Sequence, residues 1–311
     1  MARSPNCFGL ILALLTLRQL LRLPPKTPQV VLYFLAGSLP GEGLVHLRQL
    51  SLLGMIRGLP GSLLHRYCQQ VFYKATRHQN SSWFHQVRNL CLKYLLSHPL
   101  NLLSPTSPHS REAFKSLVKK HVLNYWETNL REEASNLKSL RFFKPEFLSL
   151  AKPHPIFISA GSSSYEVSKA TVQALFLSGR YRTEKLSRHW STNPEGYCQC
   201  PSCLGNQIVE DEEHILLHCG SLAPTRTSLA KLTLSYSKAN PLLGPLLLNY
   251  TNPEHPDFPQ FLVDCSVLPE IITLTQQFGE FLLFKLFKIT RTWCYSLHRD
   301  RLKILGRWSK T

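Results

Sequence analysis

The chain has 311 residues, of which 43% are apolar, and this is enough to bury the core of two ordinary domains without disulfide bonds. Its 36 Lys and Arg residues outnumber its 19 Asp and Glu residues, which gives a formal charge of +17 at pH 7. A surplus of this size favours a polyanionic partner, of which nucleic acid is the commonest, over a membrane. The nine cysteines are an odd number and mostly scattered, which argues against a secreted disulfide framework and for a reducing intracellular compartment, the nucleus or cytoplasm.

The first hundred residues are rich in leucine at helical spacing. Apolar residues recur from Ile11 to Leu23 and stop at Pro24-Pro25, which predicts a helix and not a targeting signal. The run "QVVLYFLAGSLPGEG" that follows is interpreted as an extended piece. Further helices are predicted over 43–57, 63–77 and 82–97.

Two prolines and four serine or threonine residues in "NLLSPTSPHS" predict a linker over 101–110. Beyond it, helical spacing predicts helices over 111–136, 165–178 and 225–235, a proline-rich loop over 241–259 and one long final helix over 269–305. The predicted fold class is mainly α, an irregular helical bundle with a small CCHC zinc module. The predicted regions are a leucine-rich helical region over 1–100, the linker, a helical connector over 111–164, a basic segment with the zinc module over 165–222, and a C-terminal region over 223–311.

The window "GYCQCPSCLGNQIVEDEEHILLHC", residues 196–219, holds four cysteines and two histidines. Zinc takes four sulfur or nitrogen ligands in a tetrahedron, and a C-x2-C turn brings two of them to one ion. The preferred set is Cys200, Cys203, His214 and Cys219. Cys198 is an alternative to Cys200, and His218 is an alternative to Cys219. Four protein ligands leave no open position for water, so a structural zinc is favoured over a catalytic one.

Basic and aromatic residues alternate just before this window, in "LSGRYRTEKLSRHW". Cations can follow phosphates and flat rings can stack on unpaired bases. The segment therefore predicts a nucleic-acid-binding surface formed by Arg180, Tyr181, Arg182, Lys185, Arg188 and Trp190. A second such stripe runs from Lys285 to Arg307, where a core helix with solvated cations is an equally good interpretation.

Catalytic motifs are not found in the sequence. Two-metal nucleotidyl transfer needs clustered carboxylates, whereas the four aspartates, Asp211, Asp257, Asp264 and Asp300, are all separated from one another. No phosphate-binding glycine loop and no nucleophile elbow occurs either. We therefore expect a protein that is not an enzyme.

Three stretches taken together resemble the C-terminal, post-palm region of the reverse transcriptase polyprotein of non-LTR (LINE-type) retrotransposons. They are "YFLAGSLPGEGLVHLRQLSLLGMIRGLPG", the run from "LSGRYRTEKLSRHW" to "EDEEHILLHC", and "TRTWCYSLHRDRLKILGRW". The resemblance implies thumb-like helices, a helical connector and a terminal Cys/His module that grips RNA or DNA. It carries over Cys203, His214 and Cys219 as ligands and leaves the first ligand open between Cys198 and Cys200. Because the polymerase carboxylates are missing, it implies a fragment or descendant without polymerase activity.

Two functions compete on this basis. The first is non-catalytic binding of RNA or DNA, with a structural zinc beside a basic and aromatic surface. The alternative is a helical interaction scaffold, or a decayed reading frame with no selected activity, whose exposed leucines would lead it to self-associate.

Overall fold

The computed structural model describes residues 6–75, 82–104, 110–183, 200–201, 203, 209–252 and 254–306. Within these ranges the chain is mainly helical and forms no sheet, which confirms the predicted mainly α class. The helices are α1 (Asn6–Leu21), α2 (Gln29–Ala36), α3 (Gly41–Arg57), α4 (Leu63–Ala75), α5 (Trp83–Lys93), α6 (Pro99–Leu102), α7 (Arg111–Ser135), α8 (Pro155–Ile158), α9 (Ser164–Leu177), α10 (Ala223–Ala239), α11 (Gly244–Tyr250), α12 (Phe258–Val263), α13 (Pro269–Phe278) and α14 (Glu280–Ile304).

The chain divides into two compact units. The first comprises residues 1–14, 37–133 and 149–152, and the second comprises residues 15–36, 134–148 and 153–311.

The first unit is built from α3, α4, α5 and α7. Leu50, Leu53, Val87 and Phe114 are fully buried and belong to its core. Helices α3 and α7 approach closely because Gly54 has no side chain, and a Cβ at this position would lie 2.7 Å from Phe114 Cδ1. This is a close approach that only glycine permits without movement of the ring.

The second unit is arranged around α14. Leu286, Phe287 and Leu297 on this helix are fully buried, and α9, α10, α12 and α13 all pack against it. The buried Gln173 of α9 donates from Nε2 to Leu262 O at 2.8 Å and to Thr290 Oγ1 at 2.9 Å. A single amide thus connects α9, α12 and α14.

A buried arginine also connects α14 to the end of α8 and to the first turn of α9. Arg291 donates to Ile156 O at 3.1 Å, to Ser159 Oγ at 2.5 Å and to Glu166 Oε2 at 3.1 Å. Burial lowers the pKa of the Arg291 guanidinium, and the neighbouring Glu166 carboxylate opposes that effect. Arg291 therefore acts inside the protein and not on its surface.

The structure corrects the prediction of an extended piece after Pro24-Pro25. Residues 29–36 form α2, in which all six residues from Val30 to Leu35 are buried. A short run that is apolar on every side fits a buried strand and a buried helix equally well, so periodicity could not separate the two. As for membranes, no single helix of the described chain is long and apolar enough to span a bilayer, although α2 and α3 as a bent pair meet the length and composition requirements together.

Two further predictions about the C-terminal third were wrong. The final helix is interrupted at Gly279, where φ is +82°, a left-handed conformation that ends α13 and precedes α14. The predicted loop over 241–259 contains α11 and the start of α12, each with a proline in its first turn. Proline is well tolerated there because the first-turn N–H groups have no partner within the helix.

Candidate metal centre

The structure brings Cys200, Cys203, His214 and Cys219 together, the four ligands preferred from the sequence. Their ligand atoms all lie within 4.8 Å of one another. Cys219 Sγ lies 3.9 Å from Cys200 Sγ and 3.7 Å from Cys203 Sγ, and Cys203 Sγ lies 3.5 Å from His214 Nε2. Cys203 is half-buried and the other three are buried. This cluster could hold a metal ion.

Local chain geometry explains how a short sequence assembles the cluster. A turn brings the first two cysteines together, and Cys203 N donates to Cys200 O at 3.2 Å. The other two ligands lie at the ends of a single π-helical turn, His214–His218, in which Cys219 N donates to His214 O at 2.7 Å. Asp211 caps this turn by accepting from His214 N at 2.9 Å. The wide turn places residues five apart on the same side, as the H-x4-C spacing requires.

Burial and hydrogen bonding favour the metal-binding forms of His214 and Cys203 but not that of Cys219. Burial lowers the pKa of His214, which favours the neutral imidazole that metals bind. Burial acts to raise the pKa of Cys203, but the backbone N–H of Gly220 and the neighbouring thiols outweigh it and the net change is downward. Burial raises the pKa of Cys219. The Cys203 thiol is therefore the first of this pair to lose its proton.

A buried ion pair fastens the cluster to α14, and sequence reasoning missed it. Arg301 donates from Nε to Glu210 Oε1 at 2.9 Å and from Nη2 to Glu210 Oε2 at 2.8 Å. Glu210 Oε1 also lies 3.9 Å from Cys200 Sγ. Both side chains are almost completely buried. Burial acts to lower the pKa of Arg301, and the bonds to Glu210 raise it above the ordinary value overall.

The cluster is also fastened to α10. Arg226 donates from Nη2 to Cys219 O at 2.6 Å, next to the last ligand. Burial lowers the pKa of this guanidinium. Together with Arg301, this contact fixes both ends of the 209–219 segment to helices of the second unit.

The predicted nucleic-acid surface is described only in its first residues. Arg180 is half-buried and Arg182 is exposed. The burial of Tyr181 is inconsistent with its predicted role as a base-stacking residue, because only 2% of the residue is exposed. Its ring stacks on Phe176 with centroids 3.9 Å apart, and its hydroxyl lies 3.0 Å from His298 Nδ1. Arg301 Cζ lies 5.7 Å from the Tyr181 ring centre, so Arg301 also connects this segment to the metal cluster.

The other predicted residues have different outcomes. Lys185, Arg188 and Trp190 lie outside the described residues, as does Cys198, the predicted alternative to Cys200. His218, the predicted alternative to Cys219, is exposed and does not belong to the cluster. In the C-terminal stripe, Arg291, Trp293 and Arg301 are buried, whereas Lys288 and Lys303 are exposed.

In comparisons with known proteins, no family model, no curated protein and no solved structure matches this chain.

Proposed function

We propose that the Cys200, Cys203, His214 and Cys219 cluster binds one Zn²⁺ ion. Tetrahedral zinc with Zn–S bonds of about 2.3 Å and Zn–N bonds of about 2.05 Å separates two sulfurs by about 3.8 Å and a sulfur from a nitrogen by about 3.6 Å. The corresponding distances here are 3.9 Å and 3.7 Å between sulfurs and 3.5 Å between Cys203 Sγ and His214 Nε2. Three of the six ligand–ligand distances thus match edges of a zinc tetrahedron, and the other three pairs of ligand atoms lie within 4.8 Å of one another. This spacing is the single observation that carries the proposal.

The zinc has a structural role in this proposal. Three thiolates and one imidazole complete a tetrahedron, whereas catalytic zinc keeps one position for water or substrate. Three of the four ligands are buried, and Arg301 and Arg226 hold the surrounding segment against α14 and α10. Metal binding would therefore tie Cys200 and Cys203 to the 209–219 segment of the second unit.

The function proposed for the whole protein is non-catalytic binding of RNA or DNA. The charge of +17 and the exposed Arg182 support a polyanionic partner. The contact between Arg301 and Tyr181 supports the proposed proximity of the basic segment to the metal module. The resemblance to the C-terminal region of a retroelement reverse transcriptase supports the same function, and the proposed origin is a fragment or descendant of such a protein.

A second candidate, a helical interaction scaffold, is supported by exposed apolar side chains in the first unit. Three of them lie on or just before α4. They are Leu59, which is 51% exposed, Leu63, which is 83% exposed, and Tyr67, which is 60% exposed. Such residues favour association with another protein surface. Light scattering after size exclusion tests the self-association that this candidate implies: a dimer that Leu63→Asp converts to a monomer supports it, and a wild-type monomer contradicts self-association through this surface.

Metal analysis tests the zinc proposal. Purified wild-type chain should contain one zinc per chain, and Cys203→Ser and Cys219→Ser should each lose it, because a hydroxyl is a poor zinc ligand. Two controls should retain the metal. His218→Ala removes an exposed histidine beside the cluster, and Cys294→Ser replaces a buried cysteine whose Sγ donates to Leu262 O at 3.4 Å, a bond that serine keeps. Equal zinc content in all variants would contradict the proposed ligand set.

A salt titration tests nucleic-acid binding. Fluorescence anisotropy with single-stranded RNA and DNA should give an affinity that falls with salt, by about 0.7 log units per log unit of salt for each phosphate neutralised. Arg182→Ala should make this slope shallower, whereas the matched control Arg66→Ala, an exposed arginine of the first unit, should not. Binding that does not depend on salt, or an affinity that is unchanged in Cys203→Ser, would contradict the proposed nucleic-acid binding.

A further inference from the structure

A groove about 320 Å³ in volume runs between α10 and α14. Helix α10 lines it from Leu229 to Tyr236, and α14 lines it from Lys285 to Trp293, in both cases at steps of three and four residues. That spacing selects one face of each helix over two turns, a length of about 10 Å. The groove is therefore the seam between two neighbouring helices of the second unit.

The floor of the groove is fixed and its rim is accessible. Trp293 is 2% exposed, and its Nε1 donates to the buried Thr233 Oγ1 at 3.0 Å. Leu232 at the rim is 60% exposed, although it is a large apolar residue. The groove thus exists in the free protein and presents apolar surface to water.

The charge at the groove is positive. Lys285 and Lys288 both line it, and no acidic residue does so in the described part of the chain. Neither lysine forms an ion pair with a carboxylate among the described residues. An occupant that complements this surface is apolar towards Trp293 and negatively charged towards the lysines.

We infer that this groove binds an acidic amphipathic helix of a partner protein. A helix presents apolar side chains at i, i+3 or i+4, and i+7, and these span about 10 Å, the length of the groove. Carboxylates beside that apolar stripe would meet Lys285 and Lys288. The partner's helix would pack beside α10 and α14 as a third helix. This inference is independent of the proposed zinc and nucleic-acid functions.

The same side chains disfavour a nucleic acid as the occupant. Base stacking needs an accessible ring face; of the two rings that line the groove, the Trp293 indole is buried in the floor and Tyr236 is half-buried. Bidentate phosphate recognition is typical of arginine, and the described lining contains none. The exposed Leu232 would be placed against phosphates instead of being covered.

Selection from a displayed library of helical peptides about 14 residues long tests the inference. The 311-residue chain serves as bait, and peptides that also bind Leu232→Asp are removed. Because Leu232 is exposed, this variant should fold, and circular dichroism checks that it does. Enriched peptides should carry apolar residues at i, i+3 or i+4, and i+7, flanked by Asp or Glu.

A synthetic copy of the most enriched peptide then gives quantitative results. Leu232→Asp should weaken its binding about tenfold or more, since a charge would occupy the apolar rim. The matched control Leu248→Asp changes a leucine on α11 that is 54% exposed and should leave binding unchanged. Replacing Glu by Gln in the peptide should weaken binding to wild type but not to Lys285→Gln/Lys288→Gln.

Four results would overturn the inference. The first two are the absence of any enriched peptide and the enrichment of peptides without acidic residues. The third is displacement of the peptide by single-stranded RNA that is lost when Lys285 and Lys288 are replaced. The fourth is dimerisation of the chain itself that is lost in Leu232→Asp. The third result would assign the groove to nucleic acid, and the fourth would assign it to a second copy of the chain.

Discussion

Replacing Arg301 by methionine should loosen the attachment of the Cys200, Cys203, His214 and Cys219 cluster to α14. The substitution removes the two hydrogen bonds of 2.9 and 2.8 Å to the buried carboxylate of Glu210. Loss of one partner of a buried ion pair costs about 3 to 5 kcal/mol. A stranded carboxylate can instead take up a proton, which at pH 7 costs about 3.7 kcal/mol from an ordinary carboxyl value of about 4.3. The expected cost is therefore about 3 to 4 kcal/mol.

The cost should appear as faster loss of metal. If opening of the 209–219 segment exposes the ligands, about 3 kcal/mol corresponds to more than 100-fold faster capture by a chromophoric chelator. Urea unfolding followed by circular dichroism would show the accompanying loss of stability of the second unit.

Lys303→Met is the matched control. Lys303 pairs with Asp300 on the same helix at 3.1 Å, but its side chain is 52% exposed. An exposed pair of this kind contributes about 0 to 1 kcal/mol. Chelator capture in Lys303→Met should match wild type. If Arg301→Met behaves like Lys303→Met in the chelator assay, the Arg301–Glu210 ion pair does not hold the Cys/His cluster in place.

Three further substitutions test other contacts. Gly54→Ala should destabilise the first unit by about 1 to 2 kcal/mol, because overpacking against Phe114 exceeds the gain in helix propensity. The control Gly220→Ala should be nearly neutral, because nothing lies within 4 Å of the added carbon. Equal urea midpoints for the two variants would contradict this prediction. Burial, together with the charge of Arg301, lowers the pKa of His298 to about 4, so the folded state resists a proton that the unfolded state takes up below about pH 6.5. Stability should therefore be lost as the pH falls from 6.5 towards 4, by about 2 kcal/mol between pH 7 and pH 5, and a His298→Gln variant that loses as much as wild type would show that His298 is not responsible. Tyr181→Phe should cost about 1 kcal/mol through the lost contact of its hydroxyl with His298, and it should leave RNA and DNA affinity unchanged since the ring is buried; weaker binding would restore a direct role for this residue.

The Cys/His cluster was predictable from the sequence because its geometry is local. Cys200 and Cys203 share one turn, and His214 and Cys219 share another, so the spacing within each pair almost determines the ligands. The sequence could not show how the cluster is held in the protein. Glu210 and Arg301 are 91 residues apart, and nothing in the local pattern indicates that they meet.

The burial of the basic and aromatic residues, by contrast, could not be predicted from the sequence. In "SGRYR", Arg180, Tyr181 and Arg182 look equivalent, but the turn after α9 leaves Arg182 exposed and directs Tyr181 into the core. Gly179, at φ +60°, shapes this turn, and a Cβ there would lie 2.1 Å from Ser139 O. Side-chain direction in such a turn depends on a distant segment, so composition alone could not separate a stacking ring from a core ring.

The burial of Arg291 and Arg301 sharpens the case for a polyanionic partner. Within the described residues the buried Lys and Arg side chains are Lys169, Arg291 and Arg301, and each forms an ion pair with a carboxylate. Lys169 and Arg291 share Glu166, so these three cations are matched by two carboxylates and account for only one charge of the +17 surplus. Burying an unpaired cation costs several kcal/mol, which disfavours placing the surplus in the core. The excess charge must therefore lie mainly at the surface, where it can neutralise phosphates and produce the steep salt dependence expected for nucleic-acid binding.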